Sequence, residues 1–357
     1  MGYDRALRAA GGRTARGARE LAASLSLVAL GLVFALGCGG PEAPEVVVYA
    51  AVDRGDAEPI LRRFEEQTGI RVRAVYDAEA AKTTGLVTRL LAERQHARCD
   101  VFWNNELLQT LLLAKNGLLD EYVSPSAADL PGEFKDPGGL WTAVAERARV
   151  IVYNTNHVPA DEAPRSIFDL TKPRWRAKAA IANPQFGTTR SHVAALFAVL
   201  GEERAEQWLE DLRENEIRIV DGNAVVKNLV ADAEPGASPI YVGLTDTDDV
   251  QSGLAEGKPL GMIYPDQDEL GTLLTPSAVA LVRGAPHPET ARRLIDYLTS
   301  AEVEGALVAG GSGYLPIRKS AKPSRLAPPE RRMHVPLDQW YDQLEPSSQW
   351  TKEHFQP

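Results

Sequence analysis

The sequence predicts an α/β fold built on parallel strand pairs, and three observations carry that prediction. Val46–Ala50 (VVVYA) is an unbroken β-prone run, the mark of a strand buried on both faces. A helical pattern, a strand, a second helical pattern and a third strand follow it directly, an order that demands crossover connections. The same alternation returns further along the chain with different spacing. The chain has 357 residues, 44% of them hydrophobic and 25% charged, which suits a soluble protein of two lobes or domains.

In order, the first helix is expected over Glu58–Gln67, with Ile60, Leu61 and Phe64 at helical spacing. Pro59 suits its first turn and Gly69 the position past its end. Ile70–Val75 alternates apolar and basic residues and reads as a strand. Leu86, Val87, Leu90 and Leu91 give one face to a helix over Thr84–Arg94, and Asp100–Trp103 is the third strand. Ala148–Tyr153 (ARVIVY) is strongly strand-like, and Ala179–Ala182, Ile217–Val220, Ile240–Leu244 and Thr275–Val282 are further strands. Helices are expected over Ser191–Leu200, Arg204–Arg213 and Pro288–Thr299. Asp232–Pro239 reads as a loop, and residues 319–357, polar and proline-bearing, read as a surface wrap.

The N-terminus carries Arg5, Arg8, Arg13, Arg16 and Arg19, then an apolar run from Leu21 to Gly37 that ends at Cys38. A basic stretch, an apolar stretch and small residues describe an export signal. With a cysteine at that point it resembles a bacterial lipoprotein signal, in which the cysteine is lipidated after cleavage; the large aliphatic residue usual three places before it is Ala35 here. A different cleaved signal or an uncut anchor are the alternatives. The protein is thus expected to be exported to the periplasm or cell surface, held by lipid at Cys38. Residues 1–37 are the signal and residues 38–45 (GGPEAPE after the cysteine) a tether.

The whole chain has a formal net charge of −10. Removal of residues 1–37 takes away five basic and two acidic residues, leaving 34 basic, 47 acidic and a net −13. That balance argues against a nucleic-acid partner, which requires a basic face to neutralise phosphates. Cys99 is then the second thiol, read as a small buried apolar residue.

Enzyme signals are negative: there is no GxSxG, HExxH or CxxC, and GLAEGK at Gly253–Lys258 has the wrong spacing for a phosphate loop, with Pro259 where a hydroxyl is needed. The six histidines show no metal-ligand spacing. Polar clusters instead fall where strands should end, the place where open α/β sheets bind ligands. They are Asp53; Lys82-Thr83-Thr84; Asn104-Asn105-Glu106; Gly187-Thr188-Thr189; Thr245-Asp246-Thr247-Asp248-Asp249; and Tyr264-Pro265-Asp266. Threonines at helix starts suit anions, although plain capping explains them equally. The three acids of 246–249 repel one another, which is tolerable in water or opposite a cation. Arg147 and Arg149 flank the strand near Tyr153, with surface salt bridging as the simpler explanation.

FEEQTGIRV, CDVFW, RARVIVYNT, DLTKPRWRAK, GLTDTDD, HPETARRLIDYLTSAEVE and GYLP, in that order over residues 45–318, resemble the ferric-iron-type extracellular solute-binding proteins of ABC importers. The resemblance implies a two-lobe, periplasmic-binding-protein type II fold with two crossovers, near Arg149 and near Asp266. Lobe 1 would hold 46–148 and 268–312, and lobe 2 would hold 149–267 and 313–357. It implies a monomer that closes on a solute and passes it to a membrane permease, with no enzymatic activity and no resident cofactor; ferric iron with a synergistic anion would be cargo. The implied ligand-binding set is Asp53, Thr83, Thr84, Asn105, Glu106, Arg149, Thr188, Thr189, Asp246, Asp248, Asp249, Tyr264 and Asp266, with Asp248 and Asp249 as the metal ligands. The chain departs from the family where its iron binders carry a His or Tyr (Asp53 here), a Glu (Asn105, with Glu106 adjacent) and a Tyr pair (Asp248-Asp249). Carboxylates are still hard oxygen donors. Three ligand classes therefore stay open: a hard metal, a phosphorylated or phosphonate compound, and a polyamine-like cation. An enzyme on this fold and a sensory or scaffold protein are the alternatives from other classes.

Overall fold

The computed structural model describes residues 43–77, 84–236, 239–319 and 326–355. Cys38 and Thr83 lie outside them, and so does the side chain of Thr84. Glu45–Pro357 forms one compact unit.

The opening alternation is as the sequence predicts: β1 (Glu45–Ala51), α1 (Arg54–Thr68), β2 (Arg71–Tyr76), α2 (Thr84–Ala92), β3 (Val101–Asn104), α3 (Leu107–Lys115) and the short β4 (Leu119–Asp120). β1 pairs in parallel with β2 and with β3. Both faces of β1 are covered. Val46 and Val48 pack in one core cluster and Tyr49 and Ala51 in another, which is why the strand reads as a continuous apolar run. α1 starts at Arg54, so Pro59 lies inside the helix and not in its first turn. Gly69 ends it in the left-handed region (φ 70°), where a side chain is disfavoured.

β5 (Thr142–Asn154) is the long strand on which the architecture turns. Its first half pairs with β10 (Leu274–Val282), from Thr142 to Ala148. From Arg149 onward it pairs with β8 (Val242–Asp246) and β9 (Leu260–Ile263) instead. One sheet order results, β2-β1-β3-β10-β5-β8-β6-β7, with two halves that meet on β5. The second half adds β6 (Ala179–Ala182), α4 (Gly187–Leu200), α5 (Glu202–Glu214), β7 (Arg218–Val220), α6 (Asn223–Ala231) and α7 (Thr247–Ala255). The chain comes back to the first half through residues 264–273 and builds α8 (Pro288–Leu298) and α9 (Ala301–Ala309) there.

The acidic stretch 246–249 forms the last residue of β8 and the first turn of α7. Two expectations need correction. The C-terminal stretch is not a mere surface wrap. α10 (Leu337–Asp342) and α11 (Leu344–His354) send Trp340, Leu344 and Phe355 into a core cluster that also holds Leu108 of α3 and Leu196 of α4. Residues 314–318, grouped with lobe 2 in the sequence reading, lie largely against the first half. Ile317 joins the cluster of Phe102 and Leu113, and Arg318 pairs with the buried Glu304 of α9 at 2.6 Å.

Candidate ligand-binding cleft

The parallel strands of both halves end at one polar cleft of about 550 Å³ including its open mouth. The first half contributes Ala51 from the end of β1 and Asn105 and Glu106 from the turn after β3. The second contributes the turns after β6 and β7 and the junction of β8 with α7. Strand ends carry the site because parallel strands there point their last residues and the next helix start at the same space.

The charges at its floor follow from register. Residues 147 and 149 lie two apart on β5 and so project to the same face. Arg149 stands opposite Asp246 in the β5–β8 ladder, which sets their ion pair at 2.8 Å. Arg149 is fully buried, and its guanidinium also donates to Thr188 and Thr189 Oγ1 at 3.3 Å and to Asn223 Oδ1 at 3.1 Å. The other oxygen of Asp246 accepts from Thr188 Oγ1 and from Asn223 Nδ2 at 3.0 Å. Burial alone would raise the Asp246 carboxyl, but Arg149 and Arg147 hold it below its ordinary range.

Arg147 forms an ion pair with Asp248 and donates to the Asn105 carbonyl at 3.3 Å. Its charge is locked on, since Asp248 and Asp246 outweigh the effect of burial. Asp248 itself is pushed well above the carboxylate range by burial, with Asp249, Asp53 and Asp246 adding to the push against the pull of Arg147. Burial is the larger cause, and the surplus of carboxylates over guanidiniums in this corner adds to it. Asp248 Oδ1 is buried with no hydrogen-bond partner, as is Asn105 Nδ2. Asp249 accepts from Thr245 Oγ1 at 3.0 Å. Oxygens of Asp246, Asp248 and Asp249 lie within 4.8 Å of one another, a spacing that a single cation bridges.

Tyr314 is buried and donates from its hydroxyl to Asn105 Oδ1 at 3.1 Å. It reaches there because Gly313 adopts φ 78° and presses against α7, where a Cβ would lie 2.5 Å from the Asp248 amide nitrogen.

The structure therefore brings together Asn105, Arg149, Thr188, Thr189, Asp246, Asp248 and Asp249. Asp53, at the start of α1, is near enough for its charge to act on Arg147 and Asp248. Glu106 borders the cleft, but its carboxylate is spent on capping α3, accepting from the Leu108 and Gln109 amides at 3.0 Å. Tyr264 and Asp266 do not join the site. Tyr264 packs beside the cluster of Val150 and Leu274. Asp266 is a buried turn residue at φ 60° whose carboxylate accepts from the Ile167 amide. Sequence reasoning missed Asn223, Tyr314 and Phe186. Asn223 had a signal, since Asp221-Gly222-Asn223 follows a strand and opens a helix, the pattern that singled out Gly187-Thr188-Thr189.

A two-halved α/β sheet with a polar, buried-charge cleft at its strand ends defines a solute-binding receptor. Residues 100–343 match the family described as bacterial extracellular solute-binding protein, and the chain belongs to that family. Among its relatives, "Iron uptake protein A1" of Synechocystis is 26% identical over 305 residues, covering 79% of this chain and 83% of the relative. The "Major ferric iron-binding protein" of Neisseria meningitidis serogroup A is 23% identical over 285 residues, covering 79% and 84%. In fold the chain is similar to iron-bound HitA from Pseudomonas aeruginosa, with a TM-score of 0.76 at 22% identity over 86% of this chain and 98% of that one. It is as similar to AfuA from Actinobacillus pleuropneumoniae, with fructose-6-phosphate bound, at a TM-score of 0.76 and 22% identity over 87% and 98%.

Proposed function

We propose that this chain is the receptor of an ABC importer and that its cargo is a hard metal cation, ferric iron first. The observation that carries the reading is the triad Asp246, Asp248 and Asp249, whose oxygens converge within 4.8 Å in a cleft between the two halves. Asp248 offers a buried oxygen with no partner. A trivalent cation favours hard anionic oxygen donors, and here carboxylates stand where the iron binders carry tyrosines. The names of the relatives support iron uptake as the setting. Asp248 and Asp249 are the ligands in this reading. Asp246 is the support that fixes Arg149 and the start of α4. Delivery to a membrane permease follows from the class of receptor, and Cys38 would anchor it by lipid.

A phosphorylated organic solute is the second reading. α4 begins with no side-chain cap on its first amides, which suits an anion, and a similar fold holds a sugar phosphate. Thr188 and Thr189, however, are already engaged by Asp246 and Arg149.

Titration of the chelator-stripped protein with ferric citrate, followed by metal analysis of the desalted protein, separates the two. One iron per chain is expected. Asp249→Asn removes a ligand without stranding an arginine and should lower affinity at least tenfold. Asp248→Ala should abolish binding. Unchanged affinity in both, or retention of a phosphate ester and no iron, overturns the metal reading.

A further inference from the structure

Arg147 and Arg149 face the same acidic corner, but they are held differently. Arg149 is set on Asp246 by the β5–β8 ladder and also donates to Thr188, Thr189 and Asn223, so four residues fix its guanidinium. Arg147 has two close partners, the Asp248 carboxylate and the Asn105 carbonyl at 3.3 Å, with an oxygen of Asp246 farther off at 3.7 Å. Those two partners belong to different halves, Asn105 to the turn after β3 and Asp248 to the start of α7. Asp248 therefore has a counter-cation on a long stem with few other attachments.

The carboxylate is used on one side only. One oxygen of Asp248 meets Arg147, and the other, Oδ1, is buried with no hydrogen-bond partner among the described residues. A cation bridging Asp246, Asp248 and Asp249 would sit against the Arg147 guanidinium, and two positive groups repel strongly where little water screens them. Either group can neutralise Asp248, but not both at full strength.

We propose that Arg147 is a tethered competitor for the cargo: its guanidinium holds Asp248 until a cation takes that carboxylate, swings aside on binding and returns on release. Its presence lowers the affinity for every cation by about the same factor, because moving the guanidinium is a cost within the protein. The displaced group keeps a carboxylate near it, since Asp53 is close enough for its charge to act on Arg147. On release Arg147 goes back to Asp248, so that carboxylate is not left buried and unpaired. Both effects suit a receptor that has to surrender its cargo to a permease. The proposal rests on the reading that the cargo is a cation held by the acidic triad.

The test challenges loaded protein with free citrate. Wild type and Arg147→Met, each loaded from ferric citrate, are titrated with citrate, and the concentration that strips half the iron is read by metal analysis of the desalted protein. Arg147→Met should need at least tenfold more citrate. Arg147→Lys, which restores a cation on a similar stem, should fall back to within threefold of wild type. A second measurement needs no neutralising substitution. In wild-type protein with isotope-labelled arginine side chains, the Arg147 Nη signals, assigned by their loss in Arg147→Lys, should pass from slow to fast rotation on loading with gallium citrate, a diamagnetic stand-in. Equal or lower citrate tolerance in Arg147→Met, or Arg147 signals unchanged by loading, overturns the competitor role and leaves the metal reading in place. Wild-type protein that takes up neither iron nor gallium overturns both together.

Discussion

Glu146 shows how a single residue ties the centre of the sheet to solution conditions. It lies on β5 one residue before Arg147, is 1% exposed, and pairs with Arg332 from the C-terminal segment at 2.7 Å. Burial lifts its pKa to about 7 against the opposing pull of Arg332. A carboxyl raised in the folded state binds its proton more tightly folded than unfolded. Its contribution is therefore complete below about pH 4.5, declines as pH rises, and is lost above about pH 7. At 1.36 kcal/mol per unit the change is about 3 kcal/mol. Glu146→Gln mimics the protonated form, so its stability relative to wild type should be higher at pH 8 than at pH 5 by about that amount in urea unfolding. A difference independent of pH would show that Glu146 stays ionised when buried. The residue scale is also where sequence reading was strongest and most incomplete. The acids after β8 were legible because three carboxylates in four residues are conspicuous. That two are neutralised by Arg147 and Arg149 was not, because ion pairs across roughly 100 residues depend on strand register.

At the scale of elements, those with one strong period were legible and those relying on tertiary support were not. β1, β3, β10 and α8 are long or uniformly apolar enough to declare themselves. α7 hid its helical character behind an acidic first turn, although acids there are favourable to the helix dipole. α10 and α11 hid theirs because Pro336 and Pro346 interrupt the pattern and their apolar residues are few. The contribution of this tail is nonetheless large. Trp340 is 4% exposed, donates from Nε1 to the Ser191 carbonyl on α4 at 2.7 Å, and packs in the cluster shared with Leu108. Trp340→Ala should cost about 3–5 kcal/mol, read as a fall in the urea midpoint at unchanged slope. A loss under 1 kcal/mol would mean the tail is an appendage and not part of the core.

The whole molecule is organised so that binding and stability share the same strand. One sheet runs through β5, with a register shift at Ser277/Ala278 in its pairing with β10, and one core cluster draws on Leu108 from the first half together with Val193 and Trp340. The cleft takes residues from both sides of that strand, with Asn105 and Glu106 on one and Asp246 to Asp249 on the other. Two lobes joined by flexible linkers would unfold separately, and a ligand would stabilise only the lobe that grips it. A continuous sheet with a shared cluster predicts one cooperative thermal transition, monitored identically by near-ultraviolet and far-ultraviolet circular dichroism. A ligand bound between the halves must then shift that entire transition, by about 2.7 kcal/mol when free ligand is at a hundred times its dissociation constant. Ferric citrate is the first ligand to try, with Asp249→Asn as the control that should cut the shift to about 1.4 kcal/mol or less at the same ligand concentration and leave the unliganded transition in place. Two resolved transitions, or a shift confined to one of them, would show that β5 joins the halves without coupling them, and that the cargo is held by one half alone.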